Sequence, residues 1–208
     1  MIFFDAELMS DAINLLYLEE TKEYMREYKF DYIETSRFKL RILEAEAYQN
    51  FLRLATAEEL LHYIGIPKEE VEQEKTKAIY GFRTYNKSYL MFLIIDKITE
   101  NILGYCGYHT WYLEHDRAEI GYGLYSDSSK GKGVMSEVLN AVLHYGFEIM
   151  QLRRVEAFIS PDNIASLNTV KKFGFTREGQ LRSHYVKGGQ IEDSVVFGLL
   201  QEEYNKLK

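Results

Sequence analysis

The sequence predicts a mixed α/β fold, with one central β-sheet flanked by helices and an N-terminal helical appendage. Three observations carry this. Residues 36–43 alternate polar and apolar as a half-buried strand does, and three aromatic and β-branched runs follow at 89–96, 102–112 and 118–125. A single strong helical stripe, Val134, Val138, Val142 with Leu139 and Leu143, then separates those strands from three more. Strands interleaved with helices in this order favour one mixed sheet with helices on its faces.

Taken in order, residues 1–32 hold eight acids and three bases, and thus five of the chain's seven net negative charges. Leu8, Ala12, Leu15, Leu16 and Leu18 recur there near helical spacing, so an acidic amphipathic appendage is expected, with the main domain over 33–208. Residues 44–55 and 56–63 read as short helices. Pro67 opens a third at its first turn, whose polar body over 68–85 is expected to be exposed. Connections at 97–101 and 114–116 separate the next three strands, and a helix over 134–150 follows. A strand over 153–159 precedes Ser160-Pro161-Asp162-Asn163, which caps a helix over 164–173 that Gly174 stops. Two last strands, 178–187 and 191–200, meet at the hairpin turn Gly188-Gly189.

Composition narrows the function. The chain has 208 residues, 46% of them hydrophobic, including 17 Tyr, 12 Phe and one Trp, enough for a full core in one domain. Its longest apolar run, 89–95, is far short of the ~20 residues a membrane helix needs. The N-terminus does not read as a secretion signal, and one cysteine, Cys106, excludes an internal disulfide framework, so a cytoplasmic protein is expected. Cys106 sits in a strand and is expected to be a buried small hydrophobe. A net charge of −7 argues against a nucleic-acid partner. The five histidines show no ligand spacing, and no metal is expected.

The loop Lys130-Gly131-Lys132-Gly133 before a helix suits a phosphate group: glycines bring main-chain N–H groups close, and the helix N-terminus and two lysines add positive charge. An ordinary loop with solvated lysines is the alternative. A P-loop fails because Gly133 follows Lys132, and a dinucleotide fingerprint fails because position 136 is Ser.

Four motifs in order carry a resemblance: Ala118-Glu119-Ile120-Gly121-Tyr122; Lys130-Gly131-Lys132-Gly133-Val134-Met135-Ser136-Glu137; Asn163-Ile164-Ala165-Ser166; and Lys172-Phe173-Gly174-Phe175. Together they resemble the GNAT acetyltransferases, most of all the branch that acetylates ribosomal-protein N-termini. The segment from Leu181 to Gly189, with Asp193, is similar to that branch's terminal hairpin.

The resemblance implies acetyl-CoA as co-substrate and a primary-amine acceptor, either a protein N-terminus or a small molecule. The pyrophosphate would lie on Lys130, Gly131, Lys132, Gly133, Val134 and Met135, where Lys130 and Met135 depart from the family's residue types without removing main-chain donors. Pantetheine would pair with backbone near Leu124, Tyr125 and Ser126, and Asn163 would orient its arm. Glu119 becomes the candidate base and Ser166 the candidate acid or thiolate donor, with Tyr122 and Tyr185 as alternative acids. Competing structural roles are an ion pair of Glu119 with Arg117, and helix capping by Asn163 and Ser166. An inactive acyl-CoA-binding or protein-interaction module of the same fold, or a homodimer using the acidic segment, stands as the alternative functional reading.

Overall fold

The computed structural model describes residues 28–207. The expected appendage therefore falls outside the described residues except at 28–32, where Tyr28 and Phe30 pack on Phe51 and Tyr63. Eight strands form one sheet: β1 (Tyr32–Glu34), β2 (Phe38–Glu44), β3 (Lys87–Asp96), β4 (Ile102–Tyr112), β5 (Arg117–Leu124), β6 (Arg154–Ile159), β7 (Thr176–Lys187) and β8 (Gln190–Leu200). Their order is β1-β2-β3-β4-β5-β6-β8-β7. All neighbours are antiparallel except β5 and β6.

Helices α1 (Ala45–Leu54), α2 (Ala57–Ile64) and α3 (Val71–Tyr80) cover one face, while α4 (Val134–His144) and α5 (Ile164–Lys172) contribute to the core on the other. The central strand β3 explains the sequence's longest apolar run. Leu90, Phe92 and Ile94 point into the core shared with Val138, Leu139 and Val142 of α4, whereas Met91 and Leu93 point into the core shared with Tyr48, Phe51 and Leu60. A strand buried on both faces has no polar alternation to show. Cys106 is fully buried in the first of these cores, as expected.

Local chemistry sets the ends of the helices. At α2, Thr56 and Glu59 form a reciprocal capping box, and Gly65 closes the helix in the left-handed region at φ 74°. Helix α3 stops at Tyr80, short of the expected residue 85; most of the stretch is exposed, as expected, with Val71 and Ala78 buried against the core. After α4 the chain continues as a π-helical turn, Tyr145–Ile149. Two elements carried no sequence signal: β1, whose three residues pair with Lys39, Leu40 and Arg41, and the short C-terminal helix α6 (Gln201–Lys206). No helix among the described residues is long and apolar enough to cross a membrane.

Candidate active site

The site begins with the single parallel pairing. β5 and β6 are in register only at Arg117, Ala118 and Glu119, opposite Arg154, Val155 and Glu156. Beyond Glu119 they part, while β5 stays paired to β4 as far as Leu124. The amide of Tyr125 donates to the Leu103 carbonyl on the β4 side at 2.9 Å. Strand alternation therefore turns the main-chain groups of Tyr122 and Leu124 toward the open cleft, beyond the last parallel rung at Glu119 and Glu156. Of the backbone expected to pair with pantetheine, Leu124 faces the cleft, Tyr125 has its N–H committed to β4, and the Ser126 hydroxyl is engaged with Ser128.

Glu119 sits where the strands separate, its side chain 14% exposed. Its Oε1 lies 3.5 Å from Nε2 of His109 and accepts the Tyr185 hydroxyl at 3.3 Å. Burial pushes the Glu119 carboxyl above its ordinary value, helped by the negative charge of Glu156 and opposed by Tyr185, His184 and Arg117. Burial also holds the His109 imidazolium pKa below its usual value, which favours the neutral ring. Arg117 pairs with Glu156 instead of Glu119, and Glu156 also bonds Arg154.

Two irregularities deliver these partners. On β4, Tyr108 faces Ile120 and Thr110 faces Glu119, so His109 is the unpaired residue of a bulge. Its ring lies over Gly121, where a Cβ would come within 2.5 Å of His109 Cδ2. On β7, the register jumps between Leu181 and Tyr185. Asp193 ties that bulge down by accepting the Ser183 amide at 2.9 Å and the Gln180 side-chain amide at 2.8 Å, with Ser183 at φ 52°. Neither bulge has a sequence signature, which is why His109 carried no functional signal on its own.

The features expected to bind phosphate lie at the start of α4. Gly131 and Gly133 adopt φ 71° and 72°, the region that favours glycine, and no side chain caps the helix. A Cβ on Gly131 would meet nothing within 4 Å, so the outer side of the loop is open to a ligand. Lys130 is exposed and pairs with Asp127, Val134 is buried, and Met135 packs partly against the core. The loop is held from across the sheet by a residue that sequence reasoning missed. Arg37 donates through Nη1 to the Lys132 carbonyl at 3.0 Å and through Nε to Glu137 at 2.7 Å, and Glu137 also accepts the Thr35 hydroxyl at 2.6 Å. Burial would raise the Glu137 carboxyl, but these hydrogen bonds outweigh it and hold it low. One hundred residues separate Arg37 from Glu137, so no local pattern could reveal the pair. Because Arg37 is half exposed, its loss is expected to be modest: Arg37→Ala should raise the KM for the phosphate-bearing co-substrate about fivefold with kcat retained, read by initial rates.

Helix α5 completes the cleft. Asn163 caps it, its Oδ1 accepting the Ser166 amide at 3.1 Å, and the Tyr122 hydroxyl donates to the Ser166 carbonyl at 3.4 Å. Lys172, at the far end of α5, reaches Ser136 at 3.3 Å, which joins α5 to the first turn of α4. Glu119 and Tyr185 thus stand at one place, Ser166 and Tyr122 at a second, and the loop from Lys130 to Met135 at a third. Among the described residues, no group of three or more His, Cys, Asp or Glu is placed to hold a metal.

Comparison with known proteins bears on the family and the fold. Residues 37–176 match the family model described as an acetyltransferase (GNAT) domain. The uncharacterized N-acetyltransferase p20 of Bacillus licheniformis is 32% identical over 172 residues, covering 82% of this chain and 96% of that protein. The spermidine N(1)-acetyltransferase of Escherichia coli strain K12 is 26% identical over 90 residues, 43% of this chain and 48% of that one. A Vibrio cholerae protein provisionally named a ribosomal-protein-serine acetyltransferase shares the fold, with a TM-score of 0.59 at 21% identity over 82% of this chain and 97% of that one.

Proposed function

The chain belongs to the GNAT acetyltransferase family and is an N-acetyltransferase; we propose that it moves the acetyl group of acetyl-CoA directly onto a primary amine, with Glu119 as base. The observation that carries this reading is the parting of β5 from β6 immediately after Glu119, which puts a partly desolvated carboxylate at the mouth of a cleft lined by unpaired backbone.

The residues present fit the cofactor. Glycines at positive φ, an uncapped helix N-terminus and Lys130 form a cradle for a pyrophosphate, and the cleft-facing groups of Leu124 and Tyr122 suit an amide-bearing arm. When bound, acetyl-CoA supplies an acyl group activated as a thioester.

The chain's own residues do the rest. An amine of pKa near ~10 is mostly ammonium at neutral pH, so a base must remove a proton before it can attack. Glu119 takes that proton, and neutral His109, 3.5 Å away, is placed to relay it. The backbone N–H of Tyr122 serves as donor to the developing oxyanion. For the leaving thiolate, Ser166 and Tyr122 are the proposed hydroxyls, and the Tyr122 hydroxyl donates to the Ser166 carbonyl. Burial raises the Tyr122 phenol to about 12, well above a thiol at ~8.5, so Tyr122 stays protonated and donates to the thiolate only once its hydrogen bond to the Ser166 carbonyl is released.

Acetyl transfer with release of CoA thiol, followed over a panel of N-terminal peptides and small amines, tests the proposal. No release above background with any of them would refute it. Ser166→Ala should lower kcat about tenfold and leave acetyl-CoA binding, measured by calorimetry, unchanged. A loss of binding would instead assign Ser166 a structural part in α5.

A further inference from the structure

A cavity of about 790 Å³ opens on the face covered by α1 and α3, and of its lining the mechanism above uses His109 alone. Its walls are aromatic. Tyr48 and Tyr89 stack with centroids 5.8 Å apart, Phe82 packs 5.0 and 5.2 Å from them, and Tyr105 and Tyr125 lie 6.2 Å from each other. One carboxylate is set among these rings. The Glu74 side chain is only 15% exposed and accepts the Tyr48 hydroxyl at 3.3 Å. After burial, its charge is among the causes that push up the phenols of Tyr48, Tyr89 and Tyr125, so its negative field reaches both ring groups. Glu70 also lines the cavity. The cation there, Lys77, pairs with Glu74 from one helical turn on, but its side chain is 49% exposed and can return to water.

The cavity leads to the reacting centre. His109 lines it, and the same ring stands 3.5 Å from Glu119. Gly121 and Gly123 leave that face of β5 without side chains, so the His109 and Tyr105 rings lie directly across it.

Three classes of acceptor can be weighed against this chemistry. An anionic one meets two carboxylates against one lysine. A peptide entering main chain first would find tyrosine hydroxyls for its amides, but its uncharged backbone offers Glu74 no partner in place of Lys77. An aliphatic chain with a second positive charge meets ring faces that attract cations, and a carboxylate whose present partner is half solvated. We propose that this cavity seats the distal, non-reacting ammonium of an aliphatic di- or polyamine acceptor, between the rings and Glu74, while its other amine reaches Glu119. This assignment rests on the acetyl-transfer reading above and narrows its acceptor.

Steady-state kinetics on the full chain with 1,5-diaminopentane and n-pentylamine, equal in length and different in the second charge, test it. Wild type should show a KM at least tenfold lower for the diamine. Glu74→Gln, which keeps an acceptor for Tyr48, should raise the diamine KM about tenfold, with kcat and the pentylamine KM unchanged. Lys77→Met removes the internal competitor and should lower the diamine KM severalfold. Equal KM values for the two amines in wild type, or a Glu74→Gln defect shared by both, would overturn the assignment. If no acceptor of any class releases CoA, the acetyl-transfer reading fails separately. Calorimetric titration of 1,5-diaminopentane then decides the cavity: binding weakened about tenfold by Glu74→Gln supports it, and no binding to wild type refutes it.

Discussion

Replacing Glu119 by Gln is expected to lower kcat by roughly 10²- to 10³-fold while leaving the KM for acetyl-CoA within about twofold of wild type. The variant keeps the shape and the acceptor for Tyr185 but cannot take a proton. Its pH profile is the sharper diagnostic. Burial raises the Glu119 carboxyl, so on the acid side wild-type kcat/KM should rise with pH through an ionisation above the ordinary carboxylate range. Below that pH Glu119 is protonated and cannot act as base; above it the carboxylate is available. His109, with its lowered pKa, loses its positive charge at a pH below that of a free imidazole and then becomes able to accept a proton itself. In Glu119→Gln the Glu119 limb should vanish. An unchanged acid limb and near-normal kcat in Glu119→Gln would move the base to His109 or to water.

Phe92→Ala is expected to cost about 3–5 kcal/mol of stability and to lower Tm by on the order of 10 °C, measured by denaturant and thermal unfolding. Phe92 has no exposed surface, lies between Ile42 of β2 and Cys106 of β4 in register, and meets Tyr145 edge-to-face at 5.2 Å. It sits where the central strand touches the π-helical turn behind α4, so the surrounding sheet and helix cannot collapse to fill the space. Ile98→Ala, in the exposed connection after β3 at 92% exposure, should change stability by no more than about 0.5 kcal/mol. If Phe92→Ala were equally mild, the described packing around β3 would be wrong.

Much of the fold was legible in the sequence because the signals that build it are local. Alternation in 36–43, the apolar stripe of α4, Asn163 as cap and Gly188-Gly189 as turn each express a preference within a few residues, and the structure uses all four. Elements held by distant partners were not legible. β1 is three residues long and exists because β2 offers an edge. The aromatic residues of α1 and β3 gave no hint of a shared cavity, because Tyr48 and Tyr89 meet only after the sheet forms.

The chemistry divides along the same line. By itself the sequence determined the class of fold, the glycine loop before α4, and the order of motifs carrying Glu119 and Ser166, since residue type and near-neighbour spacing suffice for those. Only the tertiary structure decided what surrounds them: Arg37 and Glu137 bracing the loop across one hundred residues, two bulges turning His109 and Tyr185 onto Glu119, and the cleft left where β5 leaves β6. The physical reason is that hydrogen-bond register, desolvation and charge pairing depend on distances through space, which only the packed sheet brings to a few ångströms.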